Sequence, residues 1–235
     1  GRNRVGHAAD CSVRLPGGPA YLGDLDWFDG RVFWQAAGDS RQELETDRMG
    51  QPSTVNHENW SFFLVDREGR LALRLRDLDW AKHRPFVPPE CFDYDPAWRI
   101  TADWLALSLP LRMDVPNVHG ELKPVEVSHK AVFAVDGQTV ELLPMSVNEQ
   151  AAFFVFRDRT SGKETYGAGR FLSVPAAGLE TNAGPGRDGK ICLDFNFAYN
   201  PPCAFTTFAT CPLPPPENWL SFPVPVGERK WQGEY

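Results

Sequence analysis

The sequence predicts an all-β protein with few short helices, and three observations carry that expectation. Its 21 prolines and 20 glycines interrupt the chain at short intervals, and the runs between them are short, alternating and rich in Val, Phe and Trp, as half-buried strands require. Asp29-Gly30, Glu68-Gly69, Asp136-Gly137 and Ser161-Gly162 are hairpin signals, because each supplies a residue at ease with positive φ. No stretch of ten residues repeats its apolar positions at the helical period.

Taken in order, residues 4–6 already read as strand, and runs 21–25, 31–35, 60–66 and 71–76 follow. Together they predict an N-terminal β-sandwich over 1–78. Segments 41–48 and 79–84 have enough helix formers for a turn or two. Pro85, Pro88, Pro89 and Pro96 interrupt pairing and mark 79–97 as a connector. Beyond it, runs 98–108, 130–135, 139–144, 152–157, 165–174 and 190–196 predict an antiparallel, barrel-like unit over 98–235. Consecutive hairpin signals along the whole chain imply meanders rather than a parallel sheet. The Pro-rich tail, 211–218, must be extended and lie over a surface, since proline fixes φ and removes a donor.

Bulk properties exclude several function classes. The 235 residues suffice for one large or two small domains. With 24 basic and 31 acidic side chains, a net charge of -7 and no basic run, the chain offers nothing to a phosphate backbone, so nucleic acid is not an expected partner. No apolar run approaches the roughly 20 residues that span a bilayer, and the polar stretch from Gly1 to Asp10 is no signal-peptide core. A soluble protein is expected, trimmed from something longer because it opens on Gly1. Oligomeric state is not readable.

Five cysteines, with no Cys-x-x-Cys spacing, argue against a disulfide scaffold or zinc knuckle. Reduced thiols in the cytoplasm are the default, while Cys203 and Cys211 would bridge if the segment between them turns back.

The stretch from Arg157 to Phe171 and that from Leu193 to Phe205 carry the candidate site. On a strand, Tyr166, Ala168 and Arg170 share one face and Gly167, Gly169 and Phe171 the other. Glycines at such positions mark a close approach. Asp194 and Asn196 share a face opposite Leu193, Phe195 and Phe197, which the pattern assigns to the core. If the strands adjoin, Arg170 meets Asp194, either as a strut or as part of a site. In the second case Tyr166, Arg170, Asp194, Asn196, Tyr199, Asn200 and Cys203 converge on a small polar or anionic molecule, with Arg170 as bidentate clamp. Asp158, Lys163 and Glu164 read as exposed turn charges. His119 and Glu121 would share a strand face but provide two metal ligands at most, so no metal site is expected. No cofactor fingerprint is present.

The runs from Thr160 to Leu172, Leu193 to Asn196, Ala198 to Thr206 and Ala209 to Asn218 resemble a bacterial and archaeal family, the domain of unknown function 1684. Residues 5–16 and 95–99 fit its pattern more loosely. The resemblance implies a bacterial or archaeal source and a further N-terminal segment, and brings no activity, substrate or catalytic residue with it. Residues 4–16 also resemble the opening of a forkhead-associated β-sandwich. Loop 17–23 lacks the Ser and His with which such domains hold phosphothreonine, so that likeness extends to the fold alone.

The leading functional expectation is therefore an uncharacterised small-molecule-binding protein. Two alternatives remain open: a hydrolase or transferase in which Tyr166 or Asp194 acts as acid/base or Cys203 as nucleophile, and a non-catalytic structural or interaction module.

Overall fold

The computed structural model describes residues 1–36, 38–67, 69–175 and 189–233. Of the expected hairpin signals, Glu68 lies outside the described residues. The protein is all-β with few short helices, and it divides into two compact units, Gly1–Phe86 and Val87–Tyr235.

The first unit is a sandwich of two sheets. Strands β1 (Arg2–Gly6), β2 (Val13–Arg14), β3 (Gly23–Phe28), β4 (Arg31–Ala36) and β5 (Gln42–Leu44) form one, in the order β2-β1-β3-β4-β5. Strands β6 (Thr54–His57), β7 (Trp60–Arg67) and β8 (Arg70–Asp77) form the other. Asp29 and Gly30 both take positive φ, 52° and 73°. That is the two-residue turn whose twist matches its flanking strands. Inward-facing Val5, Leu25, Val32 and Trp34 meet Val55, Phe62 and Leu64, with Trp34 edge-on to Phe62 at 5.1 Å. Two expectations change here. The two-residue pairing of β1 with β2 is parallel. Segment 41–48 is not helical at its start, because Gln42, Glu43 and Leu44 extend the β4 edge, and only Asp47–Met49 makes a 3-10 turn capped by Thr46. Helix α1 (Leu78–His83) forms where helix formers cluster; the Asp77 carboxylate accepts the Asp79 and Trp80 amides, each at 3.0 Å.

The second unit holds a four-stranded antiparallel sheet of β9 (Arg99–Pro116), β10 (Leu122–Val135), β11 (Gln138–Leu142) and β15 (Gly189–Asp194), ordered β11-β10-β9-β15. Against it stand β12 (Pro144–Val147), β13 (Ala151–Phe156) and β14 (Arg170–Pro175). Ala102, Trp104, Phe133, Ile191 and Leu193 from the first meet Phe154, Phe156, Leu172 and Val174 from the second. Among the described residues no sheet closes into a barrel.

Strands β9 and β10 run 18 and 14 residues, well past the expected 98–108 and 130–135. Their outer halves pair with each other, and a register shift between Val127 and His129 joins the halves. His119 and Glu121 lie on the connecting turn rather than on a strand, with Asn117 Oδ1 accepting both amides.

The expected strand 165–174 begins only at Arg170. The tail is tied down rather than merely draped. Pro212 bridges Asn117 and the Leu213 amide donates to the Pro116 carbonyl at 2.8 Å. The 3-10 turn Pro216–Asn218 then buries Asn218, which exchanges hydrogen bonds with the Leu143 amide and carbonyl and donates to the Val155 carbonyl, all at 2.8 Å.

Candidate functional site

Loop 157–169 winds on itself instead of extending. The Thr160 carbonyl accepts the amides of Lys163, Glu164 and Thr165, and Gly162 and Gly169 turn the chain at φ of 84° and 99°. At Gly169 a Cβ would run into the Phe156 carbonyl, so this glycine permits the close approach.

Asp158 is the centre of the loop and is buried, contrary to its reading as an exposed turn charge. Its Oδ1 accepts the Thr160 amide at 2.7 Å, the Thr160 hydroxyl at 2.6 Å and the Val224 amide at 3.2 Å. Its Oδ2 accepts Arg170 Nη2 at 3.0 Å. Arg170 has 0% exposure. Its Nη2 also donates to the Val224 carbonyl at 2.8 Å, and Nη1 donates to the Val226 carbonyl and, at 3.4 Å, to that of Glu228. Burial pushes the Arg170 pKa down and Asp158 pushes it back up; a desolvated charge needs such a partner and such carbonyls. This pairing also replaces the expected Arg170–Asp194 contact. Strand β14 pairs with β13 and β15 with β9, so the two residues are not strand neighbours.

Asp194 and Asn196 do local work. Asp194 caps the 3-10 turn Phe195–Phe197, accepting from the Asn196 amide at 3.2 Å and side chain at 2.9 Å, and lies 3.8 Å from Arg99. Asn196 exchanges two hydrogen bonds with the Asp95 backbone, both 2.9 Å. Because the strand ends at Asp194, alternation stops there, and Phe197 projects to solvent at 70% exposure instead of joining the core.

Of the remaining four, Tyr166, Tyr199 and Cys203 pack in one cluster, and the Asn200 side chain turns to Glu228 and Arg229. Tyr199 exchanges backbone hydrogen bonds with Phe171, both 2.9 Å, and its ring meets that of Phe171 edge-on. Burial, then the charge of Glu228, raises the Tyr199 pKa. Asn200 is 3% exposed. Its amide and Nδ2 donate to Glu228 Oε2 at 2.7 and 3.0 Å, and Nδ2 also donates to the Arg229 carbonyl at 2.8 Å. Among the described residues, nothing hydrogen-bonds to the buried Asn200 Oδ1. The Tyr166 hydroxyl donates to the Cys203 carbonyl at 3.1 Å. Cys203, on the 3-10 turn Pro202–Ala204, donates its amide to Cys211 Sγ at 3.2 Å. Both cysteines are free thiols, packed in one cluster with Val115, Met145, Val155 and Phe171, against which Tyr166 and Tyr199 also lie. The Cys211 thiol, and to a lesser degree the Tyr166 hydroxyl, pulls the Cys203 pKa down to about 7; the same contact pushes Cys211 up.

Asp158 and Glu228 are the partners that strand periodicity missed, whereas Cys211 was singled out beside Cys203 by their short separation. Asp158 and Glu228 each lie across a chain reversal from the residue they serve, and spacing carries no signal for that. Among the described residues no cluster of three or more His, Cys, Asp or Glu stands ready for a metal, and no helix is long and apolar enough to cross a membrane.

A family model described as "Protein of unknown function (DUF1684)" matches residues 85–229, more than half of the sequence and nearly all of the second unit. The chain belongs to the DUF1684 family. The solution NMR structure of the uncharacterized protein from gene locus rrnAC0354 of Haloarcula marismortui is 29% identical to this DUF1684 protein, over 64% of this chain and 85% of that one, with a TM-score of 0.49. No curated protein matches.

Proposed function

We propose that the second unit of this DUF1684 protein binds a small polar molecule, with Tyr166, Tyr199, Asn200 and Cys203 forming the binding face. The observation that carries this reading is the unpartnered, buried Asn200 Oδ1, held in place by Glu228 and Arg229. A buried acceptor left unsatisfied costs about 1–3 kcal/mol, which a ligand hydroxyl or N–H would recover. Glu228 adjoins that oxygen's amide and repels anions, and the Arg170 charge is already consumed by Asp158. The ligand is therefore a hydrogen-bond donor such as a polyol or amine rather than an anion. Arg170, Asp194 and Asn196 serve this face indirectly, by holding the backbone around it.

A second reading makes Cys203 a nucleophile toward the bound molecule. It is favoured by the lowered pKa of that thiol, since the thiolate is the reactive form. We further propose that 1–78 and 98–235 act as separate domains joined by 79–97, and that the reduced cysteines belong to a cytoplasmic protein.

A thermal-shift screen against polyols, sugars, amines and amino acids tests the binding reading. A ligand at 100 times its Kd adds about 2.7 kcal/mol, several degrees for a chain of this size. A shift that is lost in Tyr166→Phe, while that variant melts near wild type, supports the face. A blank screen, or a shift indifferent to Tyr166→Phe, overturns it.

A further inference from the structure

The Cys203–Cys211 pair has a chemistry that ligand binding does not use. The two sulfurs belong to one short loop that turns back on itself, so that Cys211 Sγ lies 3.2 Å from the Cys203 amide nitrogen. A hydrogen bond between the two thiols already holds the Cys203 sulfur beside that of Cys211. Both residues are nearly enclosed, 7% and 4% exposed, and their surroundings are apolar apart from Tyr166. The other described thiols differ: Cys91 is exposed, Cys192 is half-buried on β15, and Cys11 belongs to the other unit.

From this geometry we propose that Cys203 and Cys211 are a peroxide-oxidised dithiol, Cys203 being the sulfur attacked and Cys211 the one that resolves it. The Cys203 thiolate attacks a hydroperoxide; its sulfur gains an S–O bond, the O–O bond breaks, and the departing hydroxide or alkoxide takes up a proton. Cys211 then forms the S–S bond, and the sulfenic hydroxyl leaves as water with the Cys211 thiol proton. In sum, two thiols and one hydroperoxide give one disulfide, one water and one alcohol, or two waters when the oxidant is hydrogen peroxide. The unequal acidities of the two thiols suit this order. Cys203 is the better thiolate near neutral pH, and Cys211 stays protonated until the first step has removed its partner. Closing a seven-residue segment (204–210) would also displace the Cys211 sulfur from the Cys203 amide, so the oxidised loop must shift where it carries Ala204 and Ala209 into the core.

Peptide mass spectrometry of the folded wild-type protein tests this directly. The protein is treated with a small excess of hydrogen peroxide, trapped with an alkylating agent and digested without reduction. The expected product is a Cys203–Cys211 cross-linked peptide, lacking two hydrogens, that dithiothreitol restores, while Cys11 stays alkylatable. In Cys211→Ser the resolving thiol is gone, and Cys203 should instead be trapped by dimedone as a sulfenic acid. Cys203 remaining a thiol while exposed Cys91 is oxidised would overturn the proposal. So would oxidised Cys203 found bonded to Cys192 or to another molecule. Because the first measurement needs no variant and no ligand, it decides the matter even if Cys211→Ser fails to fold or the binding face proves empty.

Discussion

Arg170 and Asp158 form an ion pair shut off from water on both sides, their side chains 0% and 1% exposed and their atoms 3.0 Å apart. Around it, three carbonyls and two amides from residues 160 and 224–228 use up most remaining donors and acceptors. The pair thus ties loop 157–169 to the C-terminal segment. Removing one partner strands the other charge in the interior, which costs about 3–5 kcal/mol. Asp158→Ala should lower the stability of the second unit by that amount in urea denaturation. The double variant Asp158→Leu/Arg170→Met should lose less than Asp158→Ala alone, since no charge is left unpaired. A double variant as damaged as the sum of the singles would contradict this account.

Gly169 connects the same loop to strand β14. Its φ of 99° is strained for any residue with a side chain, and a Cβ would meet the Phe156 carbonyl. Gly169→Ala should therefore destabilise by more than the ~1–3 kcal/mol of backbone strain alone. Gly30→Ala, also at positive φ but with open space around it, should show only the backbone part. Equal losses in the two variants would mean that the close approach at Gly169 is unimportant.

Cys203 should alkylate with a half-maximal rate near pH 7, since its pKa is pulled down to about 7 by Cys211 and Tyr166. Below that pH the thiolate, and with it the rate, falls away. Tyr166→Phe removes one of the two groups that stabilise the thiolate and should move the profile to higher pH. An iodoacetamide pH series read by mass spectrometry checks both. A profile centred above pH 8 in wild type would be the contrary result.

In the first unit, Asp47 accepts Arg67 Nη2 at 2.8 Å and the Asp66 amide at 3.0 Å. The Arg67 contact holds its pKa below the usual carboxylate value, burial pushes the other way, and the Asp66 amide adds a lesser downward pull. A carboxylate depressed in the folded state contributes stability that is fully present above its unfolded pKa, about 4, and is lost as pH falls through the folded value. Asp47→Asn should leave the first unit less stable at neutral pH. The gap to wild type should narrow below pH 4, where a melting series can follow it. A gap of constant size down to pH 2 would show that the carboxylate's charge is not what matters.

Much of the fold was legible because it rests on local chemistry. Asp29-Gly30 and Asp136-Gly137 turn where they must, with both residues of each at positive φ, the alternation in β4 reports which face is buried, and the apolar runs of β7 and β13 mark strands buried on both faces over much of their length. The outer halves of β9 and β10 were not legible, since Pro110, Pro116 and Pro124 punctuate them and a register shift between Val127 and His129 breaks the pairing. Phe197 misled for a related reason: period-2 reasoning holds only while the strand lasts, and Asp194 ends it by capping the next turn.

Of the candidate site, residue types and rough location could be read from the chain: it determined that Tyr166, Tyr199, Asn200 and Cys203 would cluster with polar or reactive groups near the C-terminal half. Partner choice could not be read. Arg170 had an acid twenty-four positions ahead on a matching face and another twelve behind in an apparent turn, and only the winding of loop 157–169 selected Asp158. The same holds for Glu228 under Asn200, whereas the short separation of Cys203 and Cys211 did flag them as a pair, which the turn between them brings together as free thiols. A buried charge or polar group takes whichever partner the packed backbone delivers within about 3 Å, and that delivery is a property of the tertiary fold. Local propensity sets strands and turns along the sequence; which of their polar groups are desolvated together is settled only when the sheets and the tail close over them.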